Sequence, residues 1–277
     1  NIRTLQKLSL ERGEELEYFQ HLYGDSARNG DLFDKVPLNW ERVKDGKSVG
    51  EKLAQIEKNF KPSAPEKSIP ALLDVLQALR KMPESHWVTI KKGEIEQIIL
   101  QCAGIWWEAL SPDYVTASGD SLEITVEAIR RSPIGIKLKS LKFNGLEKVK
   151  VNSDLPFNKV EQSKYTIFLP SDYPISQPYW LANPKTKGMF VVENQLLIGK
   201  PENDFALPVE AVFEINGVEI KALTPTQYKW TDPVDGEKYR PLAITPAITA
   251  NLDQSALLFA DEEGQTINVR LKAFVAD

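Results

Sequence analysis

The chain opens in one hydrophobic rhythm and continues in another. Up to about residue 112 the apolar positions recur at helical spacing. Leu16, Phe19 and Leu22 fit one helix, which Gly24 can end. Ser48-Val49-Gly50-Glu51 reads as a capping box opening a second, with Leu53, Ile56 and Phe60 on its apolar face and Pro62 and Pro65 as its stop. Leu72, Leu73, Leu76 and Leu79 define a third that ends before Pro83. Ile95, Ile98, Ile99, Cys102, Ile105, Trp106 and Ala109 form the longest stripe and predict a fourth, ended by Ser111-Pro112 because the residue before proline is pushed out of helical dihedrals.

From there the period falls to two. Leu122, Ile124, Val126 and Ala128 alternate with Glu123, Thr125 and Glu127, the pattern of a half-buried strand. Two Asn-Gly pairs predict two-residue hairpins. At Asn216-Gly217 pattern and turn agree, pairing Ile215 with Val218 and Phe213 with Ile220 on one face. At Asn144-Gly145 they conflict: Phe143 would pair with Leu146 and Leu138 with Val151, on opposite faces, which predicts a bulge near Ser140 and Leu141. Further strands fall at Ile244 to Leu252 and Ile267 to Val275. Hairpins, short strands and many prolines then imply antiparallel sandwiches. The predicted class is α+β and multidomain: an all-α helical subdomain over 1–112, a β-sandwich module of immunoglobulin-like type over 113–180, and a second over 181–277. The join falls near "SQPYWLANPKTKGMF" (176–190), which reads as a packed connector with Trp180 wedged against the sandwich or between sandwiches.

Composition narrows the function more by exclusion than by assignment. With 42% apolar and 26% charged residues the 277-residue chain is an ordinary globular sequence. Residues 1–112 hold 16 Lys/Arg against 17 Asp/Glu and the remainder 18 against 22, so neither part carries a basic footprint for nucleic acid or an anionic membrane. No apolar run reaches the length of a membrane-spanning helix. The first residues lack both a methionine and a signal-peptide core, and the chain reads as cut from something longer. Cys102 is alone, and the histidines, His21 and His86, are not spaced as a metal pair. Neither a Gly-x-Ser-x-Gly motif nor a phosphate loop nor a dinucleotide fingerprint is present, and no catalytic residue is assigned.

Two groups invite a binding reading. Tyr179, Trp180, Trp230 and Tyr239 are large rings with polar tips in a region rich in turns; exposed, they would stack on sugar faces, and buried, they would be core or interface. Asp232, Asp235 and Glu237 surround Gly236 and could offer oxygens to calcium, although the spacing is not that of an EF-hand and the same residues suit a tight turn.

Several fragments, in order, carry a resemblance: "RGEELEYF" (12–19), "DLFD" (31–34), "NWERV" (39–43), "EIEQIILQCAG" (94–104), "EAIRRS" (127–132), "SQPYWL" (176–181), "LIGKPEN" (197–203) and "DPVDGEKYRPL" (232–242). Together they resemble the region downstream of the catalytic domain in large bacterial LmbE-like (PIG-L-like) deacetylases, over nearly the whole chain. Arg130-Arg131-Ser132 departs from the Asn-Arg-Ser of many such proteins. The resemblance implies a non-catalytic accessory segment of an enzyme that removes acetyl groups from N-acetylglucosamine-type substrates. Its Rossmann-like zinc domain would lie upstream as an intramolecular partner, and zinc would bind there and not in this chain. It also implies a periplasmic or extracellular location. The alternatives are a module that binds carbohydrate on its aromatics and, further off, a self-contained hydrolase.

Overall fold

The computed structural model describes residues 18, 20–24, 33, 36–254, 256, 264 and 266–274. The helix read over Leu16 to Gly24 lies largely outside them, and the described positions 20–24 are irregular. The chain divides into two compact units, Asn1–Gly50 and Glu51–Asp277. In the first, Asn39 caps a single 3-10 turn, its side-chain oxygen accepting from the Glu41 amide at 2.9 Å. The Trp40 ring packs so closely on Gly50 that a Cβ there would sit 2.9 Å away.

Three α-helices precede the sheet: α1 (Lys47–Asn59), α2 (Ile69–Lys81) and α3 (His86–Cys102). Helix α1 starts at Lys47, so Ser48 is inside its first turn and is not the cap that the capping box predicted. Helix α2 follows its pattern, with Leu72, Leu73, Leu76 and Leu79 all buried. Helix α3 takes its cap from Ser85, whose hydroxyl accepts from the Val88 amide at 3.4 Å. It stops at Cys102, well short of Ala109. Gly104 sits at φ +61°, a conformation that turns the chain out of the helix, and a Cβ there would press on Arg131 at 3.2 Å. Ile105–Ser111 is therefore a strand, β1, and the apolar stripe that seemed to run through it is two faces of different elements.

The remaining strands are β2 (Val115–Ala117), β3 (Ser121–Arg130), β4 (Ile136–Phe143), β5 (Glu147–Asp154), β6 (Glu161–Phe168), β7 (Pro208–Ile215), β8 (Val218–Asp232), β9 (Gly236–Pro241), β10 (Ala243–Thr245), β11 (Ile248–Leu252) and β12 (Val269–Ala273). The predicted class is overturned. In place of an all-α subdomain followed by antiparallel, immunoglobulin-like sandwiches, the protein is mostly β, with one nearly closed, barrel-like mixed sheet in the order β5-β4-β7-β8-β1-β3-β6 and β9 paired to β8. Strands β4 and β7, one on each side of residue 180, are neighbours within it.

The 15-residue strand β8 is the physical reason for one sheet. Its first part pairs with β7 up to Pro225, which faces Pro208. Neither proline has an N–H to give, so that ladder ends there. At Thr226 the strand begins a parallel ladder with β1, opposite Ala109. One strand thus serves both halves of the sheet, which curl over a common core. Phe143 of β4 meets Tyr165 of β6 at 5.4 Å between ring centroids, although those strands lie near opposite ends of the strand order. Trp107 of β1 meets Phe213 of β7 edge-on at 5.9 Å.

The Asn216-Gly217 hairpin has the predicted register, Ile215 opposite Val218 and Phe213 opposite Ile220. The Asn144-Gly145 hairpin is one residue longer than predicted: Phe143 faces Glu147 and Leu138 faces Ser153, with the irregularity between Leu138 and Ser140, beside the predicted bulge. Helices α2 and α3 are tied to the sheet by Arg80, which donates to the Glu219 carbonyl at 2.6 Å and pairs with Glu96 at 2.8 Å.

Phe213 is fully buried at the contact between the two halves. Phe213→Ala is expected to lower unfolding stability by about 3–5 kcal/mol. Gly104→Ala is expected to cost less, about 1–2 kcal/mol for the left-handed conformation, with some added pressure on Arg131. Denaturant melts of the two variants check that order.

Candidate functional site

Strand alternation divides the residues of β1 between two environments. Trp107, Ala109 and Ser111 point to the core, whereas Trp106 and Glu108 point to the outer face. The β8–β9 register does the same for the hairpin. Lys229 faces Tyr239 and Thr231 faces Glu237, whereas Tyr228 faces Arg240 and Trp230 faces Lys238 on the opposite surface. Tyr239 and Trp230, grouped in the sequence reading, therefore lie back to back.

The outer face carries a charged row. Gln162 on β6 donates to Glu127 on β3 at 2.6 Å. Glu127 is the cross-strand neighbour of Glu108. The Lys229 ammonium donates to Glu108 Oε1. It lies 5.5 Å from the Trp106 ring centroid and 5.8 Å from that of Tyr239. The Tyr239 hydroxyl donates to Glu237 at 2.9 Å. Glu108 is only 3% exposed although it belongs to the outer face, while Trp106 and Tyr239 remain 39% and 41% exposed. The rings and the ammonium thus cover the carboxylate and still offer surface to solvent.

The electrostatics follow from that cover. Burial pushes the Glu108 carboxyl above its ordinary value; the Lys229 hydrogen bond opposes this, and the charges of Glu127 and Glu237 reinforce it. For Lys229, burial pulls downward, but the hydrogen bond and charge of Glu108 outweigh it and hold the ammonium in its protonated form. Burial and the hydrogen bond to Glu237 raise the Tyr239 hydroxyl, so it stays a donor at neutral pH. A shielded ion pair with extra carboxylates beside it, flanked by half-exposed rings, can hold polar groups of a ligand while the rings take its apolar face.

The other surface of the hairpin is engaged with itself. Tyr228 and Trp230 stack at 5.6 Å and 16°, and Arg240 sits 3.8 Å above the Tyr114 ring. The three carboxylates considered for calcium are engaged locally, and Lys238 is shared by Asp232, at 3.8 Å, and Asp235. Asp232 accepts from the amides of Val234 and Asp235 at 2.9 and 3.0 Å, Asp235 pairs with Lys238 at 2.6 Å, and Glu237 takes the Tyr239 hydroxyl.

Tyr179 and Trp180 sit in the connector between β6 and β7. The Tyr179 amide donates to Asn203 at 2.9 Å and its hydroxyl to the Lys200 carbonyl at 3.1 Å, which pins the backbone. Trp180 is half-buried, edge-on to Tyr179 at 4.9 Å. It borders a shallow cleft of about 530 Å³ whose other lining residues, Met189, Phe190, Val192 and Ile198, all belong to the connector. The surroundings are apolar: Tyr179 already spends its hydroxyl on the Lys200 carbonyl, and the indole N–H of Trp180 is the other polar side-chain group among these lining residues.

Among the described residues no three His, Cys, Asp or Glu side chains converge as metal ligands. His21 donates to the Gly24 carbonyl at 2.9 Å, and His86 lies edge-on to Trp87. Burial pushes the Cys102 thiol upward, away from the thiolate a metal needs.

Of the residues on this face, the sequence reading had named Tyr239 as a possible glycan contact and Glu237 as a possible calcium ligand; it had not named Trp106, Glu108 or Lys229 as site residues. Glu108 and Lys229 are 121 positions apart, and no local pattern connects them. The one available signal was the alternation within "IWWEALS", which was read at helical spacing.

The pair yields a pH prediction. Because the folded Glu108 carboxyl titrates above its ordinary 4.5, the neutral acid is the form that folding favours. Its contribution is fully present below that value and is lost as pH rises through the raised one. Lys229→Met removes the one counter-charge bonded to Glu108 among the described residues. The variant is expected to be destabilised by about 3–5 kcal/mol at neutral pH and by distinctly less near pH 4, where Glu108 is protonated. Thermal melts of both proteins at the two pH values check this.

No protein-family profile matches the chain, and no curated protein does. Two solved structures are similar in part. The sporulation control protein Spo0M from Bacillus subtilis aligns at TM-score 0.27 and 10% identity over 51% of this chain and 49% of its own. The alkylpurine DNA glycosylase AlkC from Pseudomonas fluorescens, bound to DNA containing an abasic site analog, aligns at TM-score 0.23 and 8% identity over 69% of this chain and 50% of its own. The chain thus spans about half the length of either structure, at likenesses too low to bear on fold or function.

Proposed function

We propose that this chain is a non-catalytic accessory segment of an LmbE-like (PIG-L-like) zinc-dependent deacetylase, and that its β-sheet holds glycan for the zinc domain. The accessory role rests on the ordered fragments from "RGEELEYF" to "DPVDGEKYRPL". On that resemblance the zinc domain is an upstream intramolecular partner and the protein works in the periplasm or outside the cell. One observation carries the glycan role: Trp106 and Tyr239, both about two-fifths exposed, flank the Lys229–Glu108 pair on one face of the sheet. Sugar rings present an apolar face for stacking and hydroxyls for hydrogen bonds, and this surface supplies both. Of the four aromatics first considered, Tyr239 belongs to that surface. Trp230 is stacked on Tyr228, and Tyr179 and Trp180 border an apolar cleft poor in free polar groups.

Calorimetric titration with glucosamine-containing oligosaccharides is the test. Trp106→Ala and Tyr239→Ala are each expected to weaken binding about tenfold, the range for truncating an aromatic anchor. Trp180→Ala is expected to lower the melting temperature and leave affinity intact. If Trp180→Ala alone abolishes binding, the ligand surface is the connector and the assignment to the sheet fails.

The accessory reading has its own check. Protein purified without chelator is expected to contain less than stoichiometric zinc and to leave N-acetylglucosamine derivatives unhydrolysed. One tightly held zinc per chain would return it to the enzymes.

A further inference from the structure

The same surface carries more negative than positive charge, and its rings already hold a cation. Around the single ammonium of Lys229 stand Glu108, its cross-strand neighbour Glu127, and Glu237, whose charges act on Glu108 and Lys229. Glu108 spends its charge on Lys229. Glu127 receives a neutral amide from Gln162, and Glu237 receives a neutral hydroxyl from Tyr239. Among the described residues, these two carboxylates thus have neutral hydrogen-bond donors as their bonded partners. Lys229 itself demonstrates what the rings accept: a positive nitrogen within 6 Å of both Trp106 and Tyr239. An ammonium attracted by ring quadrupoles and by uncompensated carboxylates is the ligand such a surface favours.

Resting on the glycan reading above, we infer that the Trp106–Tyr239 face selects sugars that carry a free, protonated amine over their N-acetylated or neutral counterparts. The ligand class is an amino sugar, a glucosamine unit with its amine uncapped. Acetylation would remove the charge that Glu127 and Glu237 attract and leave only stacking and hydroxyl contacts.

The test titrates the full chain with three tetrasaccharides: of glucosamine, of N-acetylglucosamine and of glucose. The pH is held below the pKa of the sugar amine. The glucosamine tetramer is expected to bind about fivefold tighter than the other two, the effect of one cation over an exposed ring. Added salt is expected to erode that preference and leave the weaker ligands unmoved. Glu237→Gln, at an exposed position, is expected to erase most of it without unfolding the protein. Equal affinity for all three, insensitive to salt, would overturn the charge selection and leave the glycan reading standing. Binding of none of them would overturn both.

Discussion

The placement of Gly104 governs the rest of the structure. A residue at φ +61°, where a Cβ would press on Arg131, ends α3 and starts β1 within three positions of Cys102. Had the helix continued, Trp106 would lie with Cys102 and Ala109 on one face. Because it stops, Trp106 and Trp107 point to opposite sides of a strand. Trp107 enters the core against Phe213, and Trp106 stays outside above Lys229. Strand β1 is also the element that joins β3 to β8, so the sheet closes only because these seven residues are extended.

The second constraint is the proline pair Pro208 and Pro225. By ending the β7–β8 ladder they free the far part of β8 to pair with β1 and β9 at once. That is what brings Lys229 and Tyr239 to Glu108. The ion pair is a consequence of topology, and its burial under two rings makes it costly to break from one side only. For the glycan reading proposed above, a face this open gains nothing from enclosure and depends on groups already held in place, as this pair is.

Much of this was legible in the sequence where one signal acted alone. The stripe of α2 and the Asn216-Gly217 register were readable because periodicity and turn chemistry agreed. The Asn144-Gly145 hairpin showed its irregularity as a conflict of faces, although its loop length was misjudged by one residue. The run from Ile95 to Ala109 misled because strand residues fell by chance on the helical spacing, and Gly104 was the one clue against it. The fold class failed for a further reason. Pairing of β4 with β7, and of β1 with β8, joins segments far apart in the chain, and residue patterns do not report partners at that distance. The proposed face was legible only in part for the same reason: Tyr239 stands on β9 beside a conspicuous turn, whereas Glu108 and Lys229 acquire meaning only together.

The central claim is that ligand meets the outer face of β1 and β9, and the indole N–H resonances report on it directly. The chain has six tryptophans, and each gives its own signal once assigned by single Trp→Phe variants. Titration with the glucosamine tetramer should move the Trp106 indole, and the Lys229 ammonium where it is observable, while Trp107 and Trp180 stay in place. A shift confined to Trp180, or saturation of the protein with Trp106 unmoved, would contradict the account.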